Sequence, residues 1–189
     1  MNFRILYYNT LDSTNNLARA LAEEGASEGT VVVAEYQTRG RGRFKRHWTA
    51  RRGENLLFSI LLRPKLNTSS ASIITHLAAR SVQEVLKKRF NLPTKLKRPN
   101  DVLIGSKKVS GILTESITQA SRVEYMIVGI GLNVNSARAG IPRTATSIRI
   151  ETSGKADRNQ ILNELLAYFA ERYRYTSQNG TFAKIQGHS

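Results

Sequence analysis

Seven cationic side chains and no carboxylate lie between Arg39 and Arg52: Arg39, Arg41, Arg43, Lys45, Arg46, Arg51 and Arg52. Gly40 and Gly42 alternate with the first arginines, so the backbone can turn sharply and bring its N–H groups close to a ligand. The ligand such a loop suits is an anion. Backbone donors cradle it, and guanidinium forks neutralise it. Trp48 closes the stretch with a flat face on which a nucleobase could stack. A solvated basic loop is the competing reading, since Arg/Gly runs often serve no ligand at all.

A second stretch with chemical content runs from Leu96 to Ser116. Pro99 restricts its own φ and biases Arg98 to an extended conformation, so Lys97 is presented from a stiff turn. Asn100 and Asp101 fit a structural turn as well as a catalytic one. Gly111, inside the return strand of the predicted hairpin, marks a place where a ligand or another backbone approaches closely. Ser13 and Thr14 open a helix and could serve only as its cap. Gly129-Ile130-Gly131 follows a strand but lacks the third glycine and the helix of a dinucleotide fingerprint, which excludes that reading.

The elements that position these residues follow from periodicity. Phe3–Tyr8 reads as an opening strand, and Asp12-Ser13-Thr14-Asn15 starts a helix that ends near Gly25. Strands at 30–36 and 55–62 flank the basic loop. Ser69 to Phe90 reads as the longest helix, burying Ile73, Ile74, Leu77, Ala78, Val82, Val85 and Leu86 on one face. Its last turn, Lys87, Lys88 and Arg89, complements the helix dipole. Asp101–Ile104 and Lys108–Glu115 form a hairpin around Gly105-Ser106, and Tyr125–Val128 is a further strand. Residues 136–156 read as loop. Asp157 caps a helix to about Tyr173, with Ile161, Leu162, Leu165, Leu166 and Phe169 inward.

The chain of 189 residues is long enough for one domain with a full core. It has no cysteine, which excludes a disulfide framework and thiolate zinc sites, and its three histidines are scattered. No apolar signal region or membrane-length segment is present, which points to the cytoplasm and to no membrane partner. The formal charge of +15 favours an acidic partner or a polyphosphate substrate. A nucleic-acid module is the rival, but no helix-turn-helix, zinc-finger or RNA-recognition signature accompanies the charge; nucleic acid is not the expected partner.

Taken together, these motifs resemble the biotin–protein ligases. The family's Gly-Arg-Gly-Arg-x-Gly-Arg-x-Trp loop matches Gly40 to Trp48, with Lys45 in place of a glycine. Its Lys-Trp-Pro-Asn-Asp motif matches Lys97 to Asp101, with Arg98 in place of the tryptophan. Lys-x-x-Gly-Ile-Leu-x-Glu matches Lys108 to Glu115, and Gly-x-Gly-x-Asn matches Gly129 to Asn133. The resemblance implies an α+β fold: a mixed, largely antiparallel sheet flanked by helices, of the class II aminoacyl-tRNA synthetase and biotin ligase type. It implies one catalytic domain over residues 1–189, without the winged helix and the small C-terminal β-barrel that some relatives carry.

The implied activity is an ATP-dependent, AMP-forming ligation. Biotin and Mg-ATP give biotinyl-5′-AMP, and biotin passes to a lysine of a biotin carboxyl carrier domain of acetyl-CoA carboxylase. The resemblance makes Lys97 and Arg41 the catalytic cations. It places Ser13, Thr14, Asn15, Gln37, Gly40, Arg41, Gly42, Arg43, Lys97 and Gly111 around biotin, and Arg43, Arg46, Trp48, Asn100 and Asn133 around the nucleotide. Mg2+ is expected on ATP phosphates and waters, with no protein metal cage. A homodimer is compatible with it. Lys45 in place of glycine puts the shape of the loop in question, because a positive φ there would be strained. Two rivals stay open: a lipoate or octanoate ligase of the same fold, and a non-catalytic basic binding protein.

Overall fold

The apolar runs of the sequence assemble into a single seven-stranded sheet in the computed structural model, which describes residues 1–178. In chain order the elements are β1 (Arg4–Tyr8), α1 (Thr14–Glu23), β2 (Thr30–Ala34), β3 (Leu56–Leu62), α2 (Ser72–Phe90), β4 (Thr94–Lys97), β5 (Asp101–Ile104), β6 (Lys107–Gln119), β7 (Arg122–Leu132), α3 (Ile148–Thr152) and α4 (Arg158–Gln178). The strand order is β1-β2-β3-β7-β6-β5-β4. Among the strands of the described residues, β1 and β2 pair in parallel and every other pair is antiparallel. The sheet is therefore mixed and largely antiparallel, as the resemblance implies.

Strand β3 shows how the two faces are divided. Side chains alternate across a strand, so Leu56, Phe58, Ile60 and Leu62 join the main core with the inward faces of α2 and α4. Leu61, on the opposite face, packs with Val32, Ile127 and the α1 residues Ala18 and Ala22 in a smaller cluster. Both faces are covered, so the whole of β3 is buried despite its lack of polar alternation. The helix faces read from periodicity in α2 and α4 are buried as expected. Asp157 caps α4: its Oδ1 accepts from the backbone N–H groups of Asn159 at 2.8 Å and Gln160 at 3.1 Å.

Three features depart from the sequence reading. Thr94–Lys97 is an edge strand, and residues 136–156 contain the short helix α3. Strands β6 and β7 extend well beyond the expected Lys108–Glu115 and Tyr125–Val128. Their long pairing aligns rows of residues across β3, β7 and β6 on the α1 face: Leu57, Gly131 and Gly111, then Ser59, Gly129 and Leu113, then Leu61, Ile127 and Glu115. That face, at the N-terminus of α1, carries the site. Among the described residues no helix is long and apolar enough to cross a membrane.

Candidate active site

A narrow cavity opens where the N-terminus of α1 meets the middle of β3, β6 and β7. Its lining includes Ser13, Thr14, Asn15, Gln37, Arg41, Gly42, Arg43, Trp48, Asn100, Lys108 and Gly111. At its inner end, polar groups are satisfied by one another. The Thr14 backbone N–H donates to Gln37 Oε1 at 2.6 Å, and the Thr14 hydroxyl lies 2.9 Å from the same oxygen. Ser59, fully buried, lies 2.6 Å from Asn15 Oδ1 and 2.8 Å from Thr14 Oγ1. An amide oxygen can only accept, so the Ser59 proton belongs to Asn15. The Asn15 amide N–H2 in turn donates to Glu115 Oε2 at 2.7 Å.

This network fixes which atoms remain for a ligand. Gln37 has committed its oxygen, leaving its N–H2 donor free to meet an acceptor. Asn15 has committed both ends within the protein, so it acts as a strut, in contrast to the ligand contact implied by the resemblance. Ser13 occupies the N-cap position of α1, but its side chain makes no capping hydrogen bond. The capping explanation therefore does not account for its hydroxyl, which stays with the cavity lining.

The floor of the cavity is a strip without side chains. A Cβ on Gly131 would lie 2.5 Å from the Trp48 ring, and one on Gly111 would lie 3.1 Å from it. A Cβ on Gly129 would lie 2.2 Å from Asn15 Oδ1. Three strand glycines thus make room for an indole and an amide to lie against the backbone. Trp48 rests on this floor with its Nε1 buried and, among the described residues, without a hydrogen-bond partner. A buried orphan donor at a cavity wall suits a ligand acceptor.

The basic loop is a small hairpin. Trp48 N–H donates to the Gly40 carbonyl at 2.9 Å, Gly42 N–H to the Arg46 carbonyl at 2.7 Å, and Arg41 bridges His47. Gly40 supports this from outside the cavity: a Cβ there would lie 2.4 Å from the Trp48 carbonyl oxygen. The left-handed residue at the tip is Phe44 (φ 56°, ψ 42°), not Lys45, and its ring is 81% exposed. Arg41 Nη2 meets Glu115 Oε2 at 2.6 Å, and Arg43 Nη1 approaches Asn100 Oδ1 at 3.5 Å. Asn100 is itself held by donating to the Ile112 carbonyl at 2.9 Å. Arg46 faces an open recess outside the hairpin, shared with Arg41, Arg43, Phe44 and Glu115.

The lysine in the cavity is Lys108, and this corrects the placement of Lys97. Lys97 lies on the edge strand β4, where alternation turns Leu96 toward the core and leaves Lys95 and Lys97 exposed. It does not line the cavity. Lys108 is the second residue of β6, and its side chain folds back over Gly111, whose missing Cβ would have met Lys108 Cε and Nζ at 2.8 Å. Its ammonium is 2.7 Å from Asp101 Oδ1 and 5.4 Å from the centre of the Trp48 ring. Asn133 is also displaced from its expected role: it is buried, donates to the Thr146 carbonyl at 3.0 Å, and is absent from the cavity lining. Ser59 and Lys108 were not among the expected site residues, and Glu115, beyond its place in a motif match, offered only a contact to Mg2+. The signal for Ser59 was a hydroxyl inside an otherwise apolar strand; for Lys108 it was the spacing to the strand glycine.

The chain is similar to known proteins in both sequence and fold. The model of the biotin/lipoate A/B protein ligase family matches residues 7–133. The bifunctional ligase/repressor BirA of Bacillus subtilis is 38% identical over 92% of this chain and 55% of its own length. The biotin--[acetyl-CoA-carboxylase] ligase of Paracoccus denitrificans is 34% identical over 90% of this chain and 72% of its own. The chain thus spans about half the length of the first of these curated relatives. The Aquifex aeolicus biotin protein ligase, solved in complex with biotin and ATP, superposes with a TM-score of 0.79 at 34% identity, covering 93% of this chain and 72% of that one.

Proposed function

We propose, for a chain that belongs to the biotin/lipoate A/B protein ligase family, that biotin and ATP react in this cavity to give biotinyl-5′-AMP and pyrophosphate. Biotin then passes to a lysine of an acceptor such as the biotin carboxyl carrier domain of acetyl-CoA carboxylase. The observation that carries this reading is the meeting of two unlike regions in one cavity. One is a neutral end whose free donor is the Gln37 amide; the other is a cationic end made by Arg41, Arg43 and Lys108.

The chemistry sets both demands. A cyclic urea buried in a pocket needs its carbonyl satisfied, and the oriented Gln37 N–H2 and the Ser13 hydroxyl are suited to it. At the other end, a carboxylate must attack the α-phosphorus of a nucleotide, and the two anions repel. Fixed cations stabilise the charge that builds as they react. Lys108 takes this role in place of Lys97, with Arg41 and Arg43 beside it. No general base is needed in this step, because the acid enters as its carboxylate. Trp48, flat on its glycine floor with the Lys108 ammonium over its ring, offers a face for adenine. Among the described residues no group of three or more His, Asp or Glu side chains is gathered to hold a metal. Mg2+ would enter on the triphosphate, neutralising its charge while the protein cations act at the α-phosphate.

The test is pyrophosphate release and acyl-adenylate formation with biotin, lipoate and octanoate in parallel. Release dependent on biotin alone is the expected result. Release with lipoate or octanoate in its place would move the chain to the other ligases of the family, and none with any acid would leave a binding protein.

A further inference from the structure

We propose that Glu115 is a positioning residue: its carboxylate ties the Arg41 guanidinium and the Asn15 amide to one point and thereby seats the hairpin over the cavity. The kinetic part of this inference rests on the reading of the cavity as a biotin-activating centre. The structural part does not.

Glu115 stands in the third row of the sheet face that carries the site, opposite Ile127 and one row beyond Gly129 and Leu113. A single oxygen, Oε2, meets Arg41 Nη2 at 2.6 Å and Asn15 Nδ2 at 2.7 Å. Asn15 is held in turn by Ser59 at 2.6 Å, so the chain of contacts runs from a buried hydroxyl on β3, through α1 and β6, to the hairpin. Among the described residues two side-chain hydrogen bonds tie hairpin arginines to the rest of the protein: Arg41 to Glu115, and Arg43 to Asn100 at 3.5 Å. The first is much the shorter. Arg41 has five N–H donors in a fixed fork. Glu115 engages only Nη2, and Arg41 lines both the cavity and the recess, where its other N–H groups are available to a ligand.

The side chains of Arg41 and Glu115 are 38% and 33% exposed. An ion pair so open to water contributes little to global stability. What it can do is hold a guanidinium in one orientation, which matters for binding and reaction far more than for unfolding. A merely structural carboxylate would show the reverse balance.

Trp48 is the only tryptophan in the chain and sits at the base of the hairpin, so its fluorescence reports hairpin seating without any ligand. The experiment compares the wild type with E115Q, E115A, R41A and the E115A/R41A pair. In E115A, acrylamide quenching of Trp48 should rise by roughly twofold with little change in unfolding midpoint. The KM for biotin in pyrophosphate release should rise by on the order of tenfold, more than kcat falls. E115Q, whose amide oxygen still accepts from Asn15, should fall between. In the R41A background, adding E115A should change KM by less than about twofold, because the two act through one contact. Unchanged quenching in E115A would overturn the proposal, as would an equal KM penalty with and without Arg41. If the wild type shows no biotin-dependent release while quenching responds as expected, the seating role stands and the functional reading falls.

Discussion

The two ends of the cavity are built on opposite principles. The inner end is finished before any ligand arrives: Thr14, Asn15, Gln37 and Ser59 satisfy one another at 2.6–2.9 Å, and Ser59 is fully buried. The hairpin end is held loosely. Among the described residues it has one short side-chain tie, a second at 3.5 Å, and an exposed phenylalanine at its tip in a left-handed conformation. A pocket that recognises a neutral, rigid ring gains from preorganisation, because little remains to be ordered on binding. Under the proposed function the hairpin would admit two charged substrates and release a modified protein, which needs freedom to open. On that reading, the difference between the two ends follows from what each would bind.

That contrast can be broken at several points, with unequal effects. The largest effect is expected at the cationic end: Lys108→Ala should slow single-turnover adenylation by about 10²–10³-fold, the usual loss for one preorganised charge at a reacting centre, with biotin binding by calorimetry changed far less. The glycine floor comes next. Gly131→Val places a side chain where the Trp48 ring lies, and overpacking of this kind costs about 1–3 kcal/mol; chemical denaturation should show it, together with loss of biotin binding. Ser59→Ala sharpens the preorganised end, leaving Asn15 Oδ1 unsatisfied at a cost of about 1–3 kcal/mol, and its weakened biotin affinity should appear with kcat nearly unchanged.

The smaller effects lie on the hairpin and the sheet edge. Phe44→Gly removes a left-handed strain of about 1–2 kcal/mol but adds unfolded-state entropy that offsets most of it. Thermal unfolding should therefore move little, while the rate of intermediate release, read by trapping free adenylate, should rise. Lys97→Ala is expected to be the quietest of all. An exposed substitution outside the site typically stays within about 0.5 kcal/mol of the parent, and adenylation should proceed at close to the wild-type rate.

Much of this was legible in the sequence, and the failures have physical causes. The faces of α2 and α4 were readable because a 3.6-residue period over five or more turns has few alternatives. Ser13, Thr14, Gln37, Arg41, Arg43, Trp48, Asn100 and Gly111 were all named from the sequence, and all line one cavity. Strand β4 escaped notice because Thr-Lys-Leu-Lys is short and half charged, which suits an edge but gives no apolar signal. The outer parts of β6 and β7 were cut short for a similar reason: Ser116, Thr118 and Gln119 pair through their backbones, and side-chain hydropathy does not report that. The expectation that Lys97 reaches the site failed on a question of direction. A stiff turn presents a lysine firmly, but alternation along β4 decides where it points, and a missing Cβ at Gly111 decides which lysine can fold inward. Ser59 and Asn133 show the limit from the other side, since hydrogen-bond partners distant in sequence set their roles.

The decisive measurement is single-turnover pyrophosphate release, with biotin, ATP and Mg2+, by the wild type, K108A and K97A side by side. The expected result is biotin-dependent release by the wild type and by K97A at similar rates, with K108A slower by at least about a hundredfold. Full activity in K108A, with loss in K97A, would contradict the assignment of the cavity lysine as the cation at the reacting centre.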